Sequence, residues 1–318
     1  MPPSSKATAT RHFKLDTKKI IALLLILVFL YVALPQIGSF RSSLHLIRNL
    51  NAGYLLTALG FSVGTYFAAA AVYVSLAKKP IKYLRTVLVE IAGMFVNRIL
   101  PSGIGAISVN YEYLRKNHHS ATESGAVIAV NNTSGIIGHI TLLIGVLIFS
   151  RHSFTSLSAP RLRTSMYWVI IAAAVIVVIS VLWWKYHEKI KGYLLGTLRK
   201  IVAYGKHPTR LITAWLFSMV LTSLYSLCLW ACIAALGVHI TLLRCLIVLT
   251  LGVAGGTITP TPGGLVGAEA GLVGGLMLFG LQSSDALAIA LTYRLLTYWL
   301  PLLVGPIAFL RVEKAGYI

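Results

Sequence analysis

The sequence predicts an all-α protein, a polytopic membrane helix bundle of about six full spans plus two Pro/Gly-broken re-entrant hairpins arranged as inverted repeats. Hydrophobic residues make up 57% of the 318 residues and charged residues only 11%, whereas soluble domains carry about 25% charged residues. Apolar runs of about 20 residues, long enough to cross a bilayer, recur from Ile20 to the end. The alternating segments of about ten residues that a β-barrel would require are absent from the sequence.

The full spans are separated by polar and basic segments. We expect them at 20–37, 53–77, 121–149, 165–184, 211–237 and 286–310. A basic tail at 1–19 precedes the transmembrane domain at 20–310, and a short tail at 311–318 follows it. Residues 186–204 have apolar positions at helical spacing and basic residues on the other side, which predicts an interfacial amphipathic helix.

Two segments between the spans are too short or too broken to cross the membrane. The first consists of apolar pieces at 86–100 and 104–114 around Pro101 and Gly103, and each piece reaches only about 17–23 Å. The second, at 242–281, contains the sequence Pro262-Gly263-Gly264. Broken backbone at membrane depth persists only where protein or a water-filled cavity surrounds it, so we predict re-entrant, cavity-lining hairpins. The alternative is that both breaks are packing kinks between ordinary spans.

Lys and Arg are distributed unequally over the predicted loops. With the N-terminus inside, 20 basic residues lie on inside segments and 6 on outside loops, which predicts cytoplasmic N- and C-termini in the cell (cytoplasmic) membrane. The basic residues that give the formal charge of +20 are then expected to contact anionic lipid headgroups. No nucleic-acid partner is expected. In this topology the halves 20–149 and 165–310 have opposite orientations in the membrane. Inverted repeats with interrupted helices in matching positions predict a binding site near the bilayer midplane.

Isolated charges in apolar surroundings identify the candidate site. Glu269 and Arg294 should lie near membrane depth, where an unpaired charge is costly, so we expect them to pair across the second hairpin. Arg294, held in orientation by Glu269, would then bind a phosphate or carboxylate of a substrate. The alternative is a purely structural ion pair. Arg98 is expected to act in the same way in the first half, with Glu90 or Glu112 as its partner, or else to snorkel to the interface.

Other polar and aromatic residues near these charges have two interpretations. Tyr293, Tyr298 and Trp299 flank Arg294 and form either an aromatic wall of the site or an interfacial belt. Asn131 and Asn132 lie inside a predicted span, where amides usually make helix–helix hydrogen bonds. His139 is expected in the core.

The residue types that an enzyme needs do not occur in a recognisable pattern. The sequence contains no GxSxG, HExxH or P-loop motif and no carboxylate pair at catalytic spacing. Cys228 and Cys232 lack a second Cys/His pair at ligand spacing. We therefore expect these two cysteines to act as small apolar residues of a helix and not as metal ligands. We predict that the protein is not an enzyme, holds no metal and needs no cofactor.

Two motifs resemble a known family. They are Asn97-Arg98-Ile99-Leu100-Pro101-Ser102-Gly103 and, above all, Pro262-Gly263-Gly264-Leu265-Val266-Gly267-Ala268-Glu269 with the later Tyr293-Arg294. These resemble the lysylphosphatidylglycerol synthase transmembrane-region family, also called flippase-like integral membrane proteins, over about 20–310. The chain departs from that pattern after the first break, where Ala106, Ile107 and Ser108 stand in place of charged residues. The resemblance implies a stand-alone member without the aminoacyltransferase domain.

The resemblance also implies a function. We expect a lipid or lipid-linked-headgroup translocase that moves or binds an anionic lipid between the two inverted repeats. The expected substrate-binding residues are Arg294, Glu269, Arg98, Tyr293, Pro262, Gly263, Gly264, Pro101 and Gly103. The expected partners are a membrane phospholipid or polyprenyl-linked lipid. The alternative is a non-transporting partner or regulator of a separate lipid- or glycan-modifying enzyme. An integral lipid transferase is disfavoured because no catalytic set is present.

Overall fold

Every regular element in the described part of the chain is helical, which confirms the predicted all-α class. The computed structural model describes residues 50–100, 104–149, 208–259 and 261–318. The α-helices are α1 (Ala52–Leu76), α2 (Tyr83–Ile99), α3 (Ile104–Lys116), α4 (Ala121–Phe149), α5 (Pro208–Ala235), α6 (Leu242–Ile258), α7 (Gly267–Leu278), α8 (Ser283–Arg294) and α9 (Leu300–Lys314). A 3₁₀ turn, Pro262–Gly264, lies between α6 and α7, and a π-helical segment, Leu295–Trp299, joins α8 to α9.

Several predictions lie outside the described residues. They concern the tail 1–19, the spans at 20–37 and 165–184, the amphipathic helix at 186–204, and Pro101 and Gly103.

In the described part of the chain, four helical stretches are long and apolar enough to cross a membrane: Ala52–Leu76, Ala121–Gly145, Pro208–Ala235 and Ser283–Lys314. They match four predicted spans, with ends displaced by a few residues. These stretches expose large apolar side chains. On α4, Ile136, Ile140, Ile144 and Ile148 follow one another at every fourth residue and are 63%, 48%, 52% and 59% exposed. Such a continuous apolar face is rare on soluble monomers and suits contact with lipid.

Short helices form a hairpin in each half. Helices α2 and α3 have 17 and 13 residues and pack against each other, as do α6 and α7 with 17 and 12 residues. At 1.5 Å per residue these helices reach about 18–25 Å, less than a hydrocarbon core of about 30 Å. The predicted broken pairs are therefore confirmed as helical hairpins, while their depth in a bilayer stays a prediction.

Each hairpin packs into its own cluster of buried apolar residues. The first cluster joins α2 and α3 to α1, α4, α5 and α9, with Leu76 and Leu114 fully buried. The second joins α6 and α7 to α1, α5 and α8, and includes Cys228, Cys232 and Cys245. All three thiols are free and buried, as expected for small apolar helix residues. Helices α1 and α5 contribute to both clusters, so they connect the two hairpins.

Two backbone carbonyls of the π-helical segment, those of Leu296 and Thr297, accept hydrogen bonds from side chains of other helices. Within it the N–H of Leu300 donates to the carbonyl of Leu295, one residue further back than in an α-helix. The carbonyl of Leu296 instead accepts a hydrogen bond from the Ser62 hydroxyl at 3.0 Å. Pro301 has no N–H to offer the carbonyl of Thr297. The segment therefore depends on side chains of other helices.

Ser62→Ala tests this dependence. We expect the substitution to lower stability by about 1–3 kcal/mol, because it leaves a partly buried carbonyl without a donor. The measurement is thermal unfolding of the purified protein in detergent. Ser75→Ala on the same helix is the control, since the Ser75 hydroxyl only adds a bond to Ala71 within α1. Equal losses in both variants would contradict the assignment.

Candidate functional site

Two arginines and one tyrosine meet where the end of α2 approaches the π-helical segment. The Arg98 and Arg294 guanidinium carbons lie 4.9 Å and 4.3 Å from the Tyr298 ring centroid. Tyr298 is fully buried, and its hydroxyl donates a hydrogen bond to the backbone carbonyl of Arg98 at 3.3 Å. Contact with an aromatic face stabilises a cation most where water is excluded. The ring thus holds two positive groups close together inside the protein.

The predicted pair of Glu269 and Arg294 forms. Arg294 Nε donates to Glu269 Oε1 at 3.3 Å, and Arg294 Nη2 donates to the Gly263 carbonyl at 3.3 Å. The two side chains are 8% and 14% exposed. The other carboxylate oxygen, Oε2, accepts the backbone N–H of Val266 at 2.6 Å. Glu269 therefore caps the N-terminus of α7, where a carboxylate is favourable, while it orients Arg294.

The turn between α6 and α7 has an unusual backbone. Gly263 and Gly264 have φ of 60° and 66°, and Val266 has φ of 70°. A β-branched residue rarely adopts this region, and such strain is often found at functional sites. A Cβ atom on Gly263 would collide with the Tyr298 ring. This conformation allows the Gly263 carbonyl to accept a bond from Arg294 and the Val266 N–H to reach Glu269.

The predicted partners of Arg98 were wrong. Its Nη2 donates to the Thr297 carbonyl at 2.9 Å, the carbonyl that Pro301 leaves free. Glu112 is exposed on α3, and Glu90 forms no ion pair with Arg98 within the described ranges. The snorkelling alternative was wrong as well, because Arg98 turns inward to α8–α9. The sequence signal that could have revealed this contact was a proline four residues after Thr297.

A cavity of about 630 Å³ lies beside these groups, within the usual size range of small-ligand sites. Its walls come from α2, α4, α5, α6, α7, α8, the 3₁₀ turn and the π-helical segment. The polar lining residues are Asn97, Arg98, His139, Thr222, Tyr225, Thr257, Thr259, Thr261, Tyr293, Arg294 and Thr297. These residues together with Glu269 provide two guanidinium groups and one carboxylate. The described wall of the cavity thus favours an anion.

The other polar and aromatic candidate residues lie either at the cavity wall or in contacts between helices. Tyr293 is buried and lines the cavity, and Trp299 packs edge-on against Tyr298 at 5.1 Å, which favours an aromatic wall. Asn131 donates to the Tyr73 hydroxyl at 3.4 Å, a helix–helix bond of the predicted kind. His139 lies at the cavity wall, 2.9 Å from the Thr250 hydroxyl, and not in the core.

Lipid-facing spans, two broken hairpins and a buried arginine cavity define a multi-pass α-helical membrane protein. Residues 19–305 match the family described as lysylphosphatidylglycerol synthase TM region. The chain belongs to this family, which confirms the resemblance.

A curated relative is a UPF0104 membrane protein of Pyrococcus horikoshii. It is 29% identical over 131 residues, which cover 40% of this chain and 39% of that protein. The matched region therefore spans well under half of the relative's length.

Proposed function

We propose that the protein is a flippase-like translocase that carries an anionic lipid or lipid-linked headgroup across the cytoplasmic membrane. The observation that carries the proposal is the pair Arg98 and Arg294 over one buried tyrosine ring at the wall of a 630 Å³ cavity. Of these two cations only Arg294 pairs with a carboxylate in the described part of the chain, that of Glu269. A bound phosphate would supply the missing negative charge.

Arg98 and Arg294 keep N–H donors that could bind such an anion. A guanidinium has five N–H donors in a planar fork. Arg294 commits Nε and Nη2 to protein acceptors, and Arg98 commits Nη2. Arg98 Nε is buried and has no hydrogen-bond partner in the described part of the chain. An anion that accepts bonds from both side chains would satisfy this donor.

The threonines of the same cavity offer acceptors. Thr257, Thr259 and Thr261 each donate their hydroxyl to a backbone carbonyl at 2.7 Å. Their oxygens keep lone pairs that can accept from a ligand. Hydroxyl groups of a glycerol or sugar attached to the phosphate fit this surface. The cavity therefore suits a phosphorylated, hydroxyl-rich headgroup.

Transport would follow from the inverted halves proposed above, with both termini in the cytoplasm. Rocking one half against the other would expose the same cavity to each leaflet in turn. The sequence has no P-loop, so movement would be downhill or coupled to an ion.

Leaflet-resolved lipid assays in proteoliposomes test the proposal. We expect purified protein to accelerate the exchange of a labelled anionic phospholipid or polyprenyl phosphate between leaflets, compared with protein-free liposomes. Arg244→Gln is the matched control, because Arg244 also contacts an aromatic ring, that of Phe279, but does not line the cavity. Unchanged exchange rates with every candidate lipid would favour a non-transporting partner of a lipid-modifying enzyme.

A further inference from the structure

A second cavity of about 380 Å³ lies between α1, α2, α3, α4 and α5. Its polar lining differs from that of the first cavity, since it contains a carboxylate and amides and neither Arg98 nor Arg294. The polar lining residues are Thr65, Tyr66, Tyr73, Glu90, Asn97, Asn110, Asn131, Asn132 and Tyr225. Asn97 and Tyr225 also line the first cavity, so the two cavities are neighbours.

Three oxygens of this second cavity are buried without a hydrogen-bond partner in the described ranges: Glu90 Oε1, Asn97 Oδ1 and Asn110 Oδ1. Glu90 is 6% exposed and Asn110 is 1% exposed. Asn110 Nδ2 donates to the Ala106 carbonyl at 3.1 Å, which fixes the amide so that Oδ1 is the free atom. Buried acceptors without a donor are costly, and a buried carboxylate is costlier still.

The three side chains lie close together. Glu90, Gly93 and Asn97 occupy one face of α2 because they are three and four residues apart. A Cβ atom on Gly93 would lie 3.6 Å from Asn110 Nδ2. Asn110 therefore packs over the glycine that separates Glu90 from Asn97. The three side chains line one cavity, and each keeps an oxygen without a hydrogen-bond partner among the described residues.

We propose that Glu90, Asn97 and Asn110 bind a monovalent metal cation such as Na⁺. Carboxylate and amide oxygens are the ligands of hard cations. One carboxylate neutralises one positive charge, and the described residues hold no group of three His, Cys, Asp or Glu that would suit a more highly charged ion. Asn97 also lies in the last turn of α2, where the helix dipole favours a cation. This site departs from our sequence-based expectation of no metal.

The position of the cation site suggests how it would act, and this step rests on the proposed function. Asn97 lines both cavities, and Arg98 follows it in the chain. A cation at Glu90 and a phosphate at Arg98 would attract each other across this short distance. Each ligand would therefore raise the affinity for the other. A sodium gradient would then drive uptake of the anionic headgroup into its cavity.

Thermal unfolding of the purified full chain in detergent tests the cation site without any lipid. NaCl replaces choline chloride at constant ionic strength and constant pH. We expect the midpoint of the wild type to rise with NaCl, because a ligand of the folded state stabilises it. Glu90→Gln should be at least as stable as the wild type in choline and should gain nothing from Na⁺. Asn110→Ala should need a Na⁺ concentration about tenfold higher for half of the effect.

Glu112→Gln is the matched control, the same substitution at an exposed carboxylate of α3, and it should respond to Na⁺ like the wild type. Equal midpoints of the wild type in NaCl and choline chloride would overturn the proposal, as would an undiminished Na⁺ response of Glu90→Gln. Because this measurement uses no lipid, its outcome is independent of the leaflet-exchange assay. Failure of the cation site and failure of lipid transport are therefore distinguishable.

Discussion

Arg294→Ala lowers leaflet exchange of the anionic lipid by about tenfold to hundredfold, the effect expected for losing hydrogen bonds to a charged group. Arg294 is 6% exposed at the cavity wall and has donors beyond those it gives to Glu269 and Gly263. Arg294→Lys keeps the positive charge beside Glu269 but loses the planar fork and the stacking on Tyr298, so it should also transport poorly. The measurement is the exchange rate in proteoliposomes with equal amounts of reconstituted protein.

The alternative for this residue is a purely structural ion pair with Glu269. In that case Arg294→Ala and Glu269→Gln should both remove folded protein from the membrane, because each leaves its buried partner without a counter-charge. If the pair belongs to a binding site, folded protein persists and transport falls. Arg244→Lys, outside the cavity, should change neither the amount of folded protein nor the transport rate.

Gly267→Ala produces the largest loss of stability that we expect among the conservative substitutions. A Cβ atom on Gly267 would collide with the Gly255 carbonyl oxygen and the Thr259 hydroxyl. A backbone atom cannot move aside unless α6 and α7 separate. Overpacking of this kind costs about 1–3 kcal/mol or more. Thermal unfolding in detergent should show a lower midpoint, and transport should fall with the loss of the turn that holds Arg294.

Gly274→Ala is the control for this substitution. It lies in the same helix, α7, and a Cβ atom there would meet nothing within 4 Å. Alanine in a helix interior is favoured over glycine by about 0.8–1.0 kcal/mol, so this variant should be at least as stable as the wild type. A Gly267→Ala variant as stable as Gly274→Ala would contradict the close packing of α6 on α7.

The sequence was sufficient for the described membrane-spanning helices and for one half of the site. Long apolar runs located the four described spans, and Pro262 with its two glycines located the turn of the second hairpin. The isolation of Glu269 and Arg294 in apolar surroundings predicted their pairing. These inferences depend on hydrophobicity and backbone preference, which are local properties of the chain.

The rest of the site depends on contacts between distant parts of the chain. Arg98 and Thr297 are 199 residues apart, and no local pattern pairs a guanidinium with a carbonyl. Pro301 leaves that carbonyl without its α-helical donor, but the proline does not reveal which distant side chain binds the carbonyl. The π-helical segment was not foreseen either, because nothing in the apolar sequence of the last span distinguishes π from α. The second cavity was missed for a similar reason, since it needs the packing of α3 on α2 to bring Asn110 to Glu90.

Structure determination of the protein in lipid nanodiscs that contain the anionic lipid tests the central claim most directly. We predict density for a phosphate within hydrogen-bonding distance of both Arg98 and Arg294, in the cavity beside Tyr298. Headgroup density confined to the outer rim of the helices, with the cavity filled only by water, would contradict it.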